Sequence, residues 1–166
     1  LNDGSGTFTD SGQELRESSS IDKSYGVELA DVDGDGDMDA FVANYGEANK
    51  VWLNNGSGVF TDSGQDLSSY QSWDVDFADF DGDDDVDAFV ANYGQANKLW
   101  INDGTGSFTD SGLSLGSNQS YGADLGDLDG DGDVDAVVAN YYPYQYNKVW
   151  LNKTEQKGLS YTEGDG

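Results

Sequence analysis

Asp31-Val32-Asp33-Gly34-Asp35-Gly36-Asp37-Met38-Asp39 decides how this chain is read, because the same acidic run returns twice. Asp79-Phe80-Asp81-Gly82-Asp83-Asp84-Asp85-Val86-Asp87 begins 48 residues later, and Asp127-Leu128-Asp129-Gly130-Asp131-Gly132-Asp133-Val134-Asp135 begins 48 after that. The chain is therefore a tandem repeat in which the acids hold a fixed place. Five alternating carboxylates in nine residues repel one another. Each pair about 4 Å apart costs roughly 1 kcal/mol in water and about 4 kcal/mol at an effective dielectric near 20. A folded chain that carries such a cluster three times is expected to hold a cation in each. With no His and no Cys anywhere, the ligands are oxygens, which points to a hard ion, calcium ahead of magnesium.

Aligning on these aspartates brings the rest of the chain into register. Tyr25, Trp73 and Tyr121 each precede the first loop Asp by six residues. Ala40-Phe41-Val42-Ala43-Asn44-Tyr45 matches Ala88-Phe89-Val90-Ala91-Asn92-Tyr93 and Ala136-Val137-Val138-Ala139-Asn140-Tyr141. Asn49-Lys50-Val51-Trp52-Leu53-Asn54 matches the runs from Asn97 to Asn102 and from Asn147 to Asn152. Phe60-Thr61-Asp62-Ser63-Gly64 matches Phe108-Thr109-Asp110-Ser111-Gly112 and, at the front, Phe8-Thr9-Asp10-Ser11-Gly12. Each unit thus offers four short strands: the alternating Tyr25-x-Val27-x-Leu29 type, the apolar Ala-Phe-Val-Ala run, Lys-Val-Trp-Leu, and Val-Phe-Thr-Asp. Asn54-Asn55-Gly56-Ser57-Gly58, Asn102-Asp103-Gly104-Thr105-Gly106 and Asn2-Asp3-Gly4-Ser5-Gly6 are hairpin signals, since these residue types accept the positive φ of tight turns.

With one proline, Pro143, and no sustained helical periodicity, the chain reads as all-β. Four strands in about 48 residues is the size of a propeller blade. The expected fold is a single repeat domain over residues 1–166, with unit 1 over about 21–67, unit 2 over about 68–115 and unit 3 over about 116–163. Residues 1–15 read as strand pieces of a preceding unit, and Gly158-Leu159-Ser160-Tyr161-Thr162-Glu163 as a worn copy of the fourth strand. Both ends therefore suggest strands lacking neighbours, completed by strand addition from other subunits or by further blades of a longer parent chain.

The loop pattern is D-x-D-x-D-G-x-x-D. Carboxylates at loop positions 1, 3 and 5 are expected to turn toward one centre, position 7 to offer its backbone carbonyl, and position 9 to close the shell. Gly36 and Gly132 at position 6 permit the bend, while Asp84 replaces glycine in the second loop. An EF-hand needs a bidentate Glu at position 12, and here that position is Val42, Val90 and Val138. With the strands that follow them, these loops resemble FG-GAP/VCBS repeats, the calcium-binding blades of integrin α-subunit propellers and many secreted bacterial proteins. The resemblance implies calcium ligands at Asp31, Asp33, Asp35, Asp37 (through its backbone) and Asp39, at Asp79, Asp81, Asp83, Asp85 and Asp87, and at Asp127, Asp129, Asp131, Asp133 and Asp135, about three ions in all. It also implies a role in adhesion, carbohydrate binding or surface assembly, or as a decoration on enzymes. The chain departs from the family in having too few units for a closed propeller, short units, and Asp84.

Composition narrows the partners. The chain carries 7 Lys+Arg against 33 Asp+Glu, a formal charge of −26, and 16 of those acids lie in the three loops. Three bound dications would leave about −20, so nucleic acid and anionic membrane are expected to be poor partners. No apolar stretch approaches 18 residues, so no membrane insertion is expected. Leu1 is not an initiator, which suggests that an N-terminal segment was removed or lies outside this sequence. The absence of cysteine does not argue against secretion where metal ions act as staples.

Outside the loops, Tyr141-Tyr142-Pro143-Tyr144-Gln145-Tyr146-Asn147 is two residues longer than its counterparts and gathers four of the ten tyrosines, suiting a sugar face, a protein contact or an edge cap. Trp52, Trp100 and Trp150 recur at one strand position and are expected in the core, as is Trp73. Lys50, Lys98 and Lys148 are expected to pair with acids between units. Asn55-Gly56-Ser57, Asn118-Gln119-Ser120 and Asn152-Lys153-Thr154 match the N-glycosylation acceptor pattern. Arg16-Glu17-Ser18-Ser19 lengthens the first unit ahead of Tyr25.

Without His or Cys there is no histidine base, no triad and no thiolate, and every dense acid cluster belongs to a metal loop. The chain is therefore expected to be no enzyme. The functional expectation is a calcium-stabilised extracellular or cell-surface structural or adhesive repeat protein that forms homo-oligomers or polymers, or docks on carbohydrate or a surface protein, through open strand edges. The alternatives are a lectin-like glycan-binding module and an accessory fragment of a larger secreted enzyme.

Overall fold

Among the described residues, the alternating and apolar runs become twelve strands arranged as three four-stranded antiparallel sheets, one per repeat. This architecture comes from a computed structural model, which describes residues 4–16, 23–141 and 145–153 and the backbone of 161–163. The first blade is β1 (Ser24–Ala30), β2 (Asp39–Asn44), β3 (Lys50–Asn54) and β4 (Phe60–Asp62). The second is β5 (Ser72–Ala78), β6 (Asp87–Asn92), β7 (Lys98–Asn102) and β8 (Phe108–Asp110). The third is β9 (Ser120–Gly126), β10 (Asp135–Asn140), β11 (Lys148–Asn152) and β12 (Tyr161–Glu163). In each sheet the strands follow chain order, a simple meander. The blades stack through their first strands, β1 on β5 on β9, and do not close on themselves. Among the described residues no helix is long and apolar enough to cross a membrane.

The third sheet corrects one expectation. The worn C-terminal strand is not left without a neighbour: β12 pairs antiparallel with β11 through Trp150↔Glu163, Leu151↔Thr162 and Asn152↔Tyr161. Like β4 and β8 in their blades, it is the edge strand of its sheet, with one side paired. The Asn2-Asp3 turn, most of the Arg16–Ser19 insertion, Tyr142, Pro143, Tyr144 and the stretch Gly158-Leu159-Ser160 lie outside the described residues.

The apolar second and third strands bury both faces in the middle blade. Phe41, Val51 and Val32 from the first blade close on Val75, Val90 and Trp100 of the second. Phe89, Leu99 and Phe80 on the opposite face of the second blade close on Ala136, Val138 and Trp150 of the third. The segment that follows each outer strand binds the next blade. Gln65 donates to the Gly106 carbonyl and accepts from the Phe108 N–H, and Gln13 makes the same clamp on Gly58 and Phe60.

Two further expectations change. Lys50 and Lys98 are buried and pair within their own unit, Lys50 with Asp66 and Asp62 and Lys98 with Asp110, because strands three and four lie side by side. Trp73 is half-buried and not in the core. A β-bulge at Tyr25 and at Trp73 interrupts the first strand of those blades and re-aims the side chain out of the alternating pattern. Tyr121 falls at a similar irregularity in β9. The three rings line up in a row, with Tyr25–Trp73 and Trp73–Tyr121 centroids 4.4 Å apart and the planes tilted by 36° and 51°. Tyr45, Tyr93 and Tyr141 flank the row.

A candidate metal centre in each blade

Each acidic run connects the first strand of a blade to the second, and its last Asp is the first residue of that second strand. The turn is built by the aspartates themselves. In the third loop the Asp127 carboxylate accepts the N–H groups of Gly130 and Gly132. Asp131 accepts the N–H of Asp133, as Asp35 does for Asp37 and Asp83 for Asp85. Such bonds are the local reason that aspartate at alternate positions folds a loop.

Three carboxylates converge in every loop. Asp31, Asp33 and Asp39 each offer one oxygen, all within 4.8 Å of one another, and so do Asp79, Asp81 and Asp87, and Asp127, Asp129 and Asp135. The carboxylates at positions 5 and 7 are not among these trios. Asp37 and Asp85 lie against the hairpin glycines Gly56 and Gly104, where an added Cβ would collide with the carboxylate.

The trio fits a hard dication on two further counts. All its donors are carboxylate oxygens, the set that suits calcium. In the first loop, Asp31 Oδ1 is buried and has no hydrogen-bond donor. A buried anionic oxygen without a donor is costly unless a cation meets it.

Asp39, Asp87 and Asp135 do more than the sequence reading assigned to them. Each is fully buried, and each takes two backbone N–H bonds. Asp39 accepts from Val32 at 3.0 Å and Asn54 at 2.7 Å, Asp87 from Phe80 at 2.9 Å and Asn102 at 2.8 Å, and Asp135 from Leu128 at 2.8 Å and Asn152 at 2.7 Å. The ninth position thus staples the start of the loop to the end of the third strand. Asn54, Asn102 and Asn152 are the partners overlooked in the sequence, although their recurrence after Trp-Leu or Trp-Ile was visible. Asn102 and Asn152 also donate from Nδ2 to the Val32 and Phe80 carbonyls of the preceding blade, tying one acidic loop to the next blade. Asn152 is buried by these bonds, which removes it as a glycan acceptor in the folded chain, whereas Asn55 is exposed.

Without a cation the trios are electrostatically poor. Partial desolvation within the loop, followed by the neighbouring acids, pushes the Asp33 and Asp81 carboxyls up from their ordinary value, although Asp81 is exposed. Burial raises Asp87 to about 6 despite the two N–H bonds that oppose it. Asp74 and Asp76 on β5 are also raised, first by burial; Asp76 additionally faces Glu28, Asp124 and Asp74. An acid with a raised folded-state pKa adds stability below its ordinary value that is lost as pH climbs through the raised one. In excess chelator, the melting temperature is therefore expected to fall as pH rises from about 4 to about 6. Saturating calcium should remove or reverse that slope. A chelated chain that melts higher at pH 7 than at pH 5 would contradict this picture.

Asp84 keeps the second loop closed. It stands at φ 73° where Gly36 and Gly132 stand at 92° and 94°, and its N–H reaches Asp79 Oδ2 at 3.0 Å as Gly36 reaches Asp31 at 2.9 Å. Left-handed backbone costs an ordinary residue about 1–2 kcal/mol, and glycine loses about 0.4–1 kcal/mol of that gain to chain entropy. Asp84→Gly is expected to stabilise the chain by about 0.5–1 kcal/mol in urea titrations; destabilisation would show that the Asp84 side chain has a partner role.

Of the tyrosine loop, Tyr141 is 52% exposed at the end of the aromatic row and Tyr146 is 85% exposed. The sequence profile of the FG-GAP-like repeat matches the chain three times, over residues 1–42, 31–90 and 79–138. Each match takes in at least one complete acidic loop, and together they run from residue 1 to residue 138. No curated protein matches the chain.

Proposed function

The chain belongs to the FG-GAP-like repeat family, and from that premise we propose that it is a calcium-stabilised, non-catalytic β-repeat module of the extracellular space or cell surface, serving in adhesion or assembly. The observation that carries the proposal is the threefold recurrence of one buried and two loop carboxylates within 4.8 Å, at the same place in each blade. One such group on a surface is common; three in register, each built into the staple between loop and third strand, are a design feature of the repeat. Extracellular modules hold calcium at about 10⁻⁴–10⁻³ M, a range in which the ion is present outside cells and acts as a structural part. The absence of His and Cys supports the non-catalytic reading.

The aromatic row favours packing over sugar stacking. Rings whose centroids lie 4.4 Å apart are in contact with one another, whereas a pyranose needs an open face. Calorimetric titration of calcium into the metal-stripped chain tests the proposal. Uptake of about three ions supports it, and no heat of binding up to 10 mM calcium would end it.

A further inference from the structure

We propose that the three acidic loops take up their ions cooperatively, each loaded loop favouring closure of its neighbour through a hydrogen-bond relay that runs through Asn102 and Asn152. Cooperative uptake presupposes the calcium sites proposed above and adds how those sites regulate one another.

The relay is continuous across both interior interfaces. In the first loop Asp39 Oδ2 holds the Val32 N–H, and the carbonyl of the same Val32 accepts Asn102 Nδ2 of the second blade at 2.9 Å. The backbone N–H of Asn102 donates to Asp87 Oδ1, and Asp87 Oδ2 holds the Phe80 N–H. The Phe80 carbonyl accepts Asn152 Nδ2 of the third blade at 3.2 Å. The backbone N–H of Asn152 donates to Asp135 Oδ1, and Asp135 Oδ2 holds the Leu128 N–H. One asparagine thus grips two loops, its own through the backbone and the preceding one through the side chain. Asn102 and Asn152 are 2% and 0% exposed, so water competes little for either grip.

Packing of the second hairpin reinforces the first link. A Cβ placed at Gly106 would lie 3.4 Å from the side chains of both Val32 and Asp33, and one placed at Gly34 would lie 3.6 Å from the Gly104 carbonyl. The same hairpin rests on its own loop, where Gly104 meets the Asp85 carboxylate. Coupling between sites requires that each ion favour one arrangement of an element both sites share. Repulsion among the carboxylates opposes the closed loop, and an ion favours it. A closed first loop presents the Val32 carbonyl to Asn102 and so fixes the N–H that Asp87 needs. The ordering cost met at one loop is then smaller at the next, and the effect is reciprocal.

The test is titration of calcium chloride into the metal-stripped chain, followed by NMR. The amides of Gly36 and Gly132, which donate to Asp31 and Asp127, report the first and third loops separately. Asp81→Ala, which removes an exposed carboxylate of the second loop, should weaken calcium uptake at Gly36 and at Gly132 by about fivefold or more. Asn102→Ala deletes the side-chain donor and keeps the backbone N–H that staples Asp87. It should weaken uptake at Gly36, and adding Asp81→Ala to it should then change the Gly36 affinity by less than about twofold. Asn152→Ala closes the same cycle at the other interface, read at Gly132, and melting curves verify that each variant folds. A Gly36 affinity indifferent to Asp81→Ala would overturn the proposal. So would an equal response in the Asn102→Ala background, which would assign the coupling to charge acting through space. Calcium uptake without coupling rejects only this inference, whereas no uptake at any loop ends the metal reading with it.

Discussion

Stripping divalent cations from this chain is expected to lower its melting temperature by roughly 8–16 °C. At calcium about ten times its dissociation constant, each site adds about 1.4 kcal/mol, so three sites add about 4 kcal/mol. In a chain of this length 1 kcal/mol moves the midpoint by about 2–4 °C. The sign follows from the carboxylate trios: every loop concentrates negative charge within a few ångströms, partial desolvation and neighbouring acids raise Asp33 and Asp81, and burial raises Asp87, so the metal-free state begins with repulsion that a bound ion would remove. The measurement is a thermal melt followed by tryptophan fluorescence in chelator and in millimolar calcium, with sodium chloride as an ionic-strength control. A shift below 2 °C would show that the loops hold their shape unaided. Equal protection by sodium chloride would show that charge screening, and not a bound ion, accounts for the gain.

Asp87→Ala is expected to destabilise the chain by about 3–5 kcal/mol, and by about 2 kcal/mol or more even in chelator. Two buried N–H donors, from Phe80 and Asn102, lose their acceptor, and an unpaired buried donor costs about 1–3 kcal/mol. Loss of one calcium site adds to this when the ion is present. Asp81→Ala is the informative contrast. Asp81 belongs to the same trio but is exposed, so its removal should cost about 1–2 kcal/mol in calcium and nothing in chelator, where it relieves repulsion from Asp83 and Asp79. Urea titrations of both variants with and without calcium separate the two roles. Equal costs in chelator would show that Asp87 acts only as a ligand and that the staple contributes nothing.

What was legible in the sequence was the information that lives within one repeat. The 48-residue period, the four strands of each unit, the hairpin turns at Asn-Gly and Asp-Gly, and the acidic loops are all set by local chemistry: alternation of apolar side chains, residues tolerant of positive φ, and aspartates that hydrogen-bond their own backbone. The left-handed backbone of Asp84 belongs to the same class. The expected convergence of positions 1, 3 and 5, closed by position 9, was readable only in part: the converging trio is 1, 3 and 9, and position 5 is not in it.

Contacts between residues far apart in the chain were decided only by tertiary structure. Loop spacing does not reveal that Asp39, Asp87 and Asp135 staple the third strand, because the donors Asn54, Asn102 and Asn152 lie 15 to 17 residues away. Nor could it place Lys50 beside Asp62, bury Asn152 against Phe80 of the preceding blade, or swing Trp73 out of the core at a bulge. Alternation says that a strand has two faces; it does not say which neighbour covers each. By itself, the sequence therefore determined the blade and its acidic cage, where the forces act over a few residues. Which faces the stack buries depended on how three near-identical blades meet across long sequence separations.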